Sequence, residues 1–201
     1  MLGPTLMIHG TEEQKREYLP PITRDEVGWC QGYSEPEAGS DLASLQTRAV
    51  EDGDDFVING SKIWTSGAHT ADKMFILVRT DPDAAKHRGI SMLLIDDFRD
   101  NPGITISPII NMAGQPGFNA IFFDNVRVPK KNIVGEKNRG WYVGAALLDF
   151  ERSGVSLPAR SRRILENLVQ LAMDTRRNGR PLSENPVVRD RLANMAVEIE
   201  A

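Results

Sequence analysis

The runs KMFILVRT (73–80) and ISMLLIDD (90–97) govern how the rest of this chain is read. Each is apolar almost throughout instead of alternating, the pattern of a strand covered on both faces. Between them DPDAAKHRG (81–89) carries loop signals. Shorter β-rich runs lie on either side: LQTRAV (45–50), DFVING (55–60) continuing into KIWTS (62–66), ITISPII (104–110) and NAIFFDNVRV (119–128). LQTRAV alternates, which predicts one wet face. Turn signals in DGDD (52–55), NGSK (59–62), DNPG (100–103) and AGQPG (113–117) separate these runs at the spacing of a barrel or sandwich. The expected centre of the chain is an antiparallel β-barrel or sandwich flanked by helices, so the chain as a whole reads as α+β.

Helical periodicity brackets this centre. Thr11 to Leu19 reads as a capped, charged helix ended by Pro20 and Pro21. Beyond Gly140 apolar residues recur at three- and four-residue steps as far as Arg177, with Pro158 placed to kink or divide the helix. A loop containing Gly179 and Pro181 follows, and Pro186 suits the first turn of another helix. The N-terminal residues begin inside a helix-and-turn segment and the C-terminal ones stop within a helical pattern that lacks a cap, the signature of a fragment. The expected organisation is a helical tail over 1–26, a β domain over 27–137 and the first helices of a bundle over 138–201.

With 201 residues, 40% hydrophobic and 26% charged, the composition is that of a soluble globular protein. A net charge of −4 argues against tracking a nucleic-acid backbone, which needs a basic excess. The single cysteine, Cys30, rules out an internal disulfide and fits the cytoplasm or another reducing soluble compartment. No apolar run reaches the roughly 20 residues of a membrane helix. A dinucleotide fingerprint between strand and helix is missing, His9, His69 and His87 are too dispersed for a metal site, and AGSDL is no nucleophile elbow.

Two stretches resist a structural explanation, WCQGYSEPEAGS (29–40) and KIWTSG (62–67). Their mixture neither packs like a core strand nor dissolves like a linker. Trp64 offers a flat apolar wall, and Ser34, Ser40, Thr65 and Ser66 offer hydroxyls that donate or accept. These are the groups a bound heteroaromatic ring would use.

WCQGYSEPEAGSDLASLQTRA and DFVINGSKIWTSGAHTAD resemble the acyl-CoA dehydrogenase family of flavoproteins. The resemblance continues in order through RGISMLLIDD, GFNAIFFDNVRVPKKNIVGEKNRGW and LLDFERSG, covering nearly the whole chain. It implies FAD at the face of the β domain, with an acyl-CoA thioester against the flavin and an electron-accepting flavoprotein or similar partner. It also implies a homo- or hetero-oligomer acting in fatty acid metabolism. Gln31 to Ser40, including Tyr33 and Ser34, is similar to the family's first flavin segment, and Ser40 is placed to meet cofactor and acyl-CoA alike. Trp64, Thr65 and Ser66 match the second flavin segment. Asp149 and Arg152 fall in the substrate-contacting turn of LLDFERSG. Glu151 takes the slot of the catalytic base in isovaleryl- and long-chain-type relatives, whereas most relatives supply that base from a later loop outside this chain. The family's Arg-Lys-Thr-Phe-Gly run falls on Thr175 to Gly179; its leading arginine is Thr175 here, leaving Arg176 and Arg177 for the FAD pyrophosphate. Two other functions fit the same resemblance, a flavin oxidase of this superfamily and a non-catalytic partner subunit.

Overall fold

A computed structural model describes residues 1–152, 154 and 156–200. It forms two compact units, Met1–Phe150 and Glu151–Ala201. Ser153 of LLDFERSG and Val155 of the long helical run lie outside the described residues.

In the first unit α1 (Leu2–His9) and α2 (Glu12–Thr23) precede a sheet of eight strands. The strands are β1 (Trp29–Gly32), β2 (Arg48–Asp52), β3 (Asp55–Lys62), β4 (Lys73–Arg79), β5 (Ile90–Ile95), β6 (Ile104–Ile109), β7 (Phe118–Pro129) and β8 (Ile133–Val134). They run in the order β6-β7-β3-β2-β4-β5-β8, open at both edges, and α3 (Gly140–Arg152) follows. Five pairings are antiparallel, as expected. The sheet is nevertheless mixed, because β1 runs parallel to β4 along Lys73 to Ile76 and β2 meets β4 in parallel at Arg79.

The nearly unbroken apolar runs behave as predicted. On β4, Met74, Ile76 and Val78 enter one core cluster while Phe75 and Leu77 enter another on the opposite face. On β5, Leu93 and Ile95 face the first cluster and Ile90, Met92 and Leu94 the second. The second cluster also takes in Leu2 and Leu6 of α1, Tyr18 of α2, and Val143 and Leu147 of α3, so helices cover one face of these central strands. Each fully buried Leu, Ile or Phe contributes about 1.5–3 kcal/mol of apolar transfer free energy, which makes this doubly covered pair of strands the stable centre of the unit.

Several local expectations are corrected. WCQG is a core strand: Cys30 and Gly32 are buried in register with Met74 and Ile76. The short length of β1 and its polar continuation hid it. NGSK is not a turn, although Asn-Gly is a strong hairpin signal. It lies inside β3, where Gly60 sits at a register shift against β7 with φ +143°. Pro20 and Pro21 do not end α2. They remove only the hydrogen bonds to the carbonyls of Arg16 and Glu17, two exposed residues, and their own carbonyls accept from Arg24 and Glu26 to close the final turn. The predicted cap is present, with Thr11 and Gln14 forming a reciprocal capping box.

In the second unit α4 (Ser156–Asp174) and α5 (Pro186–Glu200) are joined by a hairpin of β9 (Arg176–Arg177) and β10 (Arg180–Pro181). The division of the long helical run falls before Pro158, which the first turn of α4 accommodates. The expected loop is a two-residue hairpin: Asn178 and Gly179 have φ values of +53° and +78°, the left-handed pair that matches strand twist. Pro186 opens α5, and Asn185 Oδ1 accepts from Val187 N at 2.9 Å. Among the described residues no helix is long and apolar enough to cross a membrane.

Candidate active site

Two links join the stretches singled out in the sequence. Ile63 N donates to Ser34 O at 2.9 Å. One residue along each chain, Lys62 Nζ donates to Glu35 Oε1 at 2.8 Å and to Tyr33 O at 3.0 Å. Lys62 is 0% exposed and Glu35 8%. Glu35 Oε1 also accepts from Thr47 N at 2.9 Å, and the other oxygen, Oε2, accepts from Gln46 N at 2.6 Å. Burial pushes the Lys62 ammonium down to about 8, against the pull of Glu35, and the nearby charge of Arg79 pushes it further in that direction. For Glu35, burial acts upward but the Lys62 charge and three hydrogen bonds outweigh it, and the carboxyl lies below its ordinary range. Both groups are therefore charged at neutral pH.

From this anchor β3 runs out into Trp64, Thr65 and Ser66. Asn119, at the start of β7, grips the middle residue from both sides: Thr65 N donates to Asn119 O at 3.1 Å and Asn119 Nδ2 donates to Thr65 O at 2.9 Å. Gly67 N donates to Gly117 O at 3.2 Å and extends the attachment. Held at both ends, Trp64 adopts φ +61°, a left-handed conformation uncommon for a bulky residue and costing about 1–3 kcal/mol. Its ring is 57% exposed and meets Phe118 edge-on with centroids 6.2 Å apart. Thr65 Oγ1 and Asn119 Oδ1 are buried without a hydrogen-bond partner among the described residues. Ser66 is exposed and Ser34 half-buried.

The remaining expected residues have varied settings. Gln31 is half-buried on β1, and Tyr33 is buried with its ring edge-on to Phe75 at 6.1 Å. Ser40 stands exposed just beyond the bridge between Glu35 and Ala38. Asp149 is exposed on α3. Glu151 and Arg152, at the end of α3, are exposed and belong to the second unit. So do Arg176 and Arg177, exposed on the hairpin, where Arg176 Nη1 donates to Gly179 O at 3.2 Å. The structure thus brings Ser34 and Trp64 to Ser66 together within the first unit, on an anchor of Glu35, Lys62 and Asn119 that residue chemistry alone did not single out. One signal did exist: at a two-residue period Lys62 falls on the same face of β3 as the apolar Phe56 and Ile58.

The first unit thus presents an open sheet with a strained, exposed tryptophan next to Thr65 and Ser66. Residues 30–126 match the acyl-CoA dehydrogenase middle domain and residues 138–201 the acyl-CoA dehydrogenase C-terminal domain. The chain belongs to the acyl-CoA dehydrogenase family. Acyl-CoA dehydrogenase IpdE1 of Mycobacterium tuberculosis is 46% identical over 195 residues, which are 96% of this chain and 49% of that protein. Among solved structures, the Tcur3481-Tcur3483 steroid ACAD is 47% identical with a TM-score of 0.74, over 99% of this chain and 50% of that one. The ChsE4-ChsE5 complex from Mycobacterium tuberculosis is 40% identical with a TM-score of 0.71, over 99% of this chain and 51% of that one. The chain spans about half the length of the relatives it matches.

FAD is the cofactor of this family. The residues present fit it: the Trp64 face is open, Ser66 beside it has a free outlook on solvent, and the buried Thr65 hydroxyl leaves hydrogen-bonding capacity unmet in the same segment.

Proposed function

We propose that this chain is the flavin-binding part of an enzyme that introduces an α,β double bond into an acyl-CoA thioester. The observation that carries the reading is the exposed Trp64, in a left-handed backbone between Ile63, bonded to Ser34 O, and Thr65, bonded to Asn119 O. FAD, when bound, supplies the two-electron acceptor for the substrate's β-hydrogen, which departs with its bonding pair. The chain's own residues do the rest. Gln31, Tyr33, Ser34, Ser40, Trp64, Thr65 and Ser66 hold and orient the ring system, with hydroxyl donors favouring negative charge beside it. Arg176 and Arg177 serve the pyrophosphate, since guanidinium groups suit phosphate oxygens. Ser40, Asp149 and Arg152 hold the acyl-CoA, and the Glu151 carboxylate takes the α-proton. A base for so weak an acid works best when desolvated. In this reading residues 1–26 close a helical domain, 27–137 form the β domain and 138–201 open a helical bundle.

The likeness to a protein described as a steroid ACAD supports an acyl group that includes a fused ring system. Likeness to the ChsE4-ChsE5 complex supports a hetero-oligomer. An electron-accepting flavoprotein would complete the cycle. The test uses the full-length protein. A visible flavin spectrum near stoichiometric content, bleached anaerobically by acyl-CoA in a single turnover, is the expected result. A colourless protein overturns the reading in favour of a non-catalytic subunit, and rapid reoxidation in air overturns the dehydrogenase assignment in favour of an oxidase.

A further inference from the structure

We infer that the buried Glu35–Lys62 pair is a positioning device for the flavin cradle: it sets the Ser34 segment and the Trp64 segment at one fixed spacing. The inference rests on the proposed flavin site for its purpose, and on geometry for its substance. A lysine that is 0% exposed is an unusual occupant of a strand, since burying a charge is costly unless it is paired and hydrogen-bonded. A buried ion pair is also seldom more stable than an apolar pair of the same volume, so its presence calls for some role besides stability. Its partners define that role. Every acceptor of Lys62 Nζ lies in the first segment, at Tyr33 O and Glu35 Oε1, on either side of Ser34. Lys62 itself stands two residues before Trp64.

The carboxylate spreads the same constraint further. Its bonds to Gln46 N and Thr47 N tie in the chain that leads into β2. Thr47 Oγ1 then donates to Ser61 O at 3.0 Å, next to Lys62, closing the ring. Thr47 O also accepts from Arg79 N at 2.7 Å, so the ring is anchored on β4. An apolar pair in this place would fill the volume without dictating the distance between the two segments, because dispersion contacts are not directional.

The test replaces Lys62→Met and, separately, Glu35→Gln in the full-length protein labelled with 5-fluorotryptophan. Trp64→Phe assigns the Trp64 resonance against those of Trp29 and Trp141. In flavin-free protein the expected result is a shifted or broadened Trp64 fluorine signal with the Trp29 and Trp141 signals unmoved. FAD affinity is expected to fall about tenfold, the effect of losing one charge-assisted hydrogen bond. If Lys62→Met does not fold, Glu35→Gln, which keeps the volume and one acceptor, carries the same readout. A Trp64 signal unchanged in the folded variant overturns the inference, as does an equal shift of the Trp29, Trp64 and Trp141 signals, which marks general loosening. The fluorine readout needs no flavin, so it is independent of whether the wild-type protein binds FAD.

Discussion

Replacing Gly60 with alanine tests the architecture beneath the cradle quantitatively. Gly60 has φ +143°, and a Cβ built there would lie 2.7 Å from Thr47 Cα, 2.8 Å from Thr47 Oγ1 and 3.0 Å from Thr47 Cβ. Thr47 has no room to retreat. Its N–H is bound to Glu35, its carbonyl to Arg79 and its hydroxyl to Ser61 O. The unusual backbone region costs a side-chain-bearing residue about 1–3 kcal/mol, and forcing extra volume into a filled site costs about 1–3 kcal/mol more. Gly60→Ala is thus expected to destabilise by about 4 kcal/mol. Gly53 provides the control, because its φ is +61° but nothing lies within 4 Å of its added Cβ. Gly53→Ala carries only the left-handed penalty, about 1–2 kcal/mol. Urea unfolding of the two full-length variants at equal m-value reads the difference, about 2 kcal/mol, as the Thr47 contact. Gly60→Ala losing no more than Gly53→Ala would refute the reasoning.

Three other outcomes follow, two from the geometry of the first unit and one from the proposed role of Glu151. Glu35 has a folded pKa below its reference value of 4.5, so its stabilisation is complete above pH 4.5 and is lost as pH falls through the folded value. The gap in melting temperature between wild type and Glu35→Gln should therefore narrow below pH 4.5, and a gap constant from neutral to strongly acidic pH would contradict the ion pair. Glu151→Gln should slow flavin reduction by acyl-CoA about 10²–10⁴-fold with FAD still bound; an unchanged single-turnover rate removes Glu151 from the mechanism. Burial pushes the Cys30 thiol up to about 12, so iodoacetamide at pH 8 should label it only after unfolding. Labelling of native protein at the rate of a free thiol would count against the placement of β1.

The parts of the fold that were legible in advance are those where one physical signal dominates. β4 and β5 declared themselves because burial on both faces removes all polar alternation. Thr11 and Gln14 did so because a capping box is a local motif whose partners lie three residues apart. The features misread were those where a local signal competed with a distant partner. Asn59-Gly60 carries a turn signature, yet pairing of β3 with β7 on both sides of it carries the strand through. At Asn178-Gly179 the same dipeptide, with no such pairing through it, makes the hairpin turn. The two sites differ in tertiary surroundings and not in local chemistry, which is why the dipeptide alone could not separate them.

The candidate site divides in the same way. Its exposed members, Ser34, Trp64 and Ser66, stood out because aromatic and hydroxyl groups on a polar segment have little structural use there. Glu35 and Lys62 did not, since carboxylates and ammonium groups are mostly solvated and the turn signature of Asn59-Gly60 masked the spacing that puts Lys62 in phase with Phe56 and Ile58. Their pairing spans 27 residues of sequence, and Lys62 points inward in phase with Phe56 and Ile58, because the extra residue at the register shift lies on β7, between Phe123 and Val126. Gly60, read as part of a turn, and Lys62 both belong to β3. Both are placed by the pairing of β3 with β7, and two residues beyond Lys62 the chain enters Trp64, in a conformation that its own backbone preferences oppose.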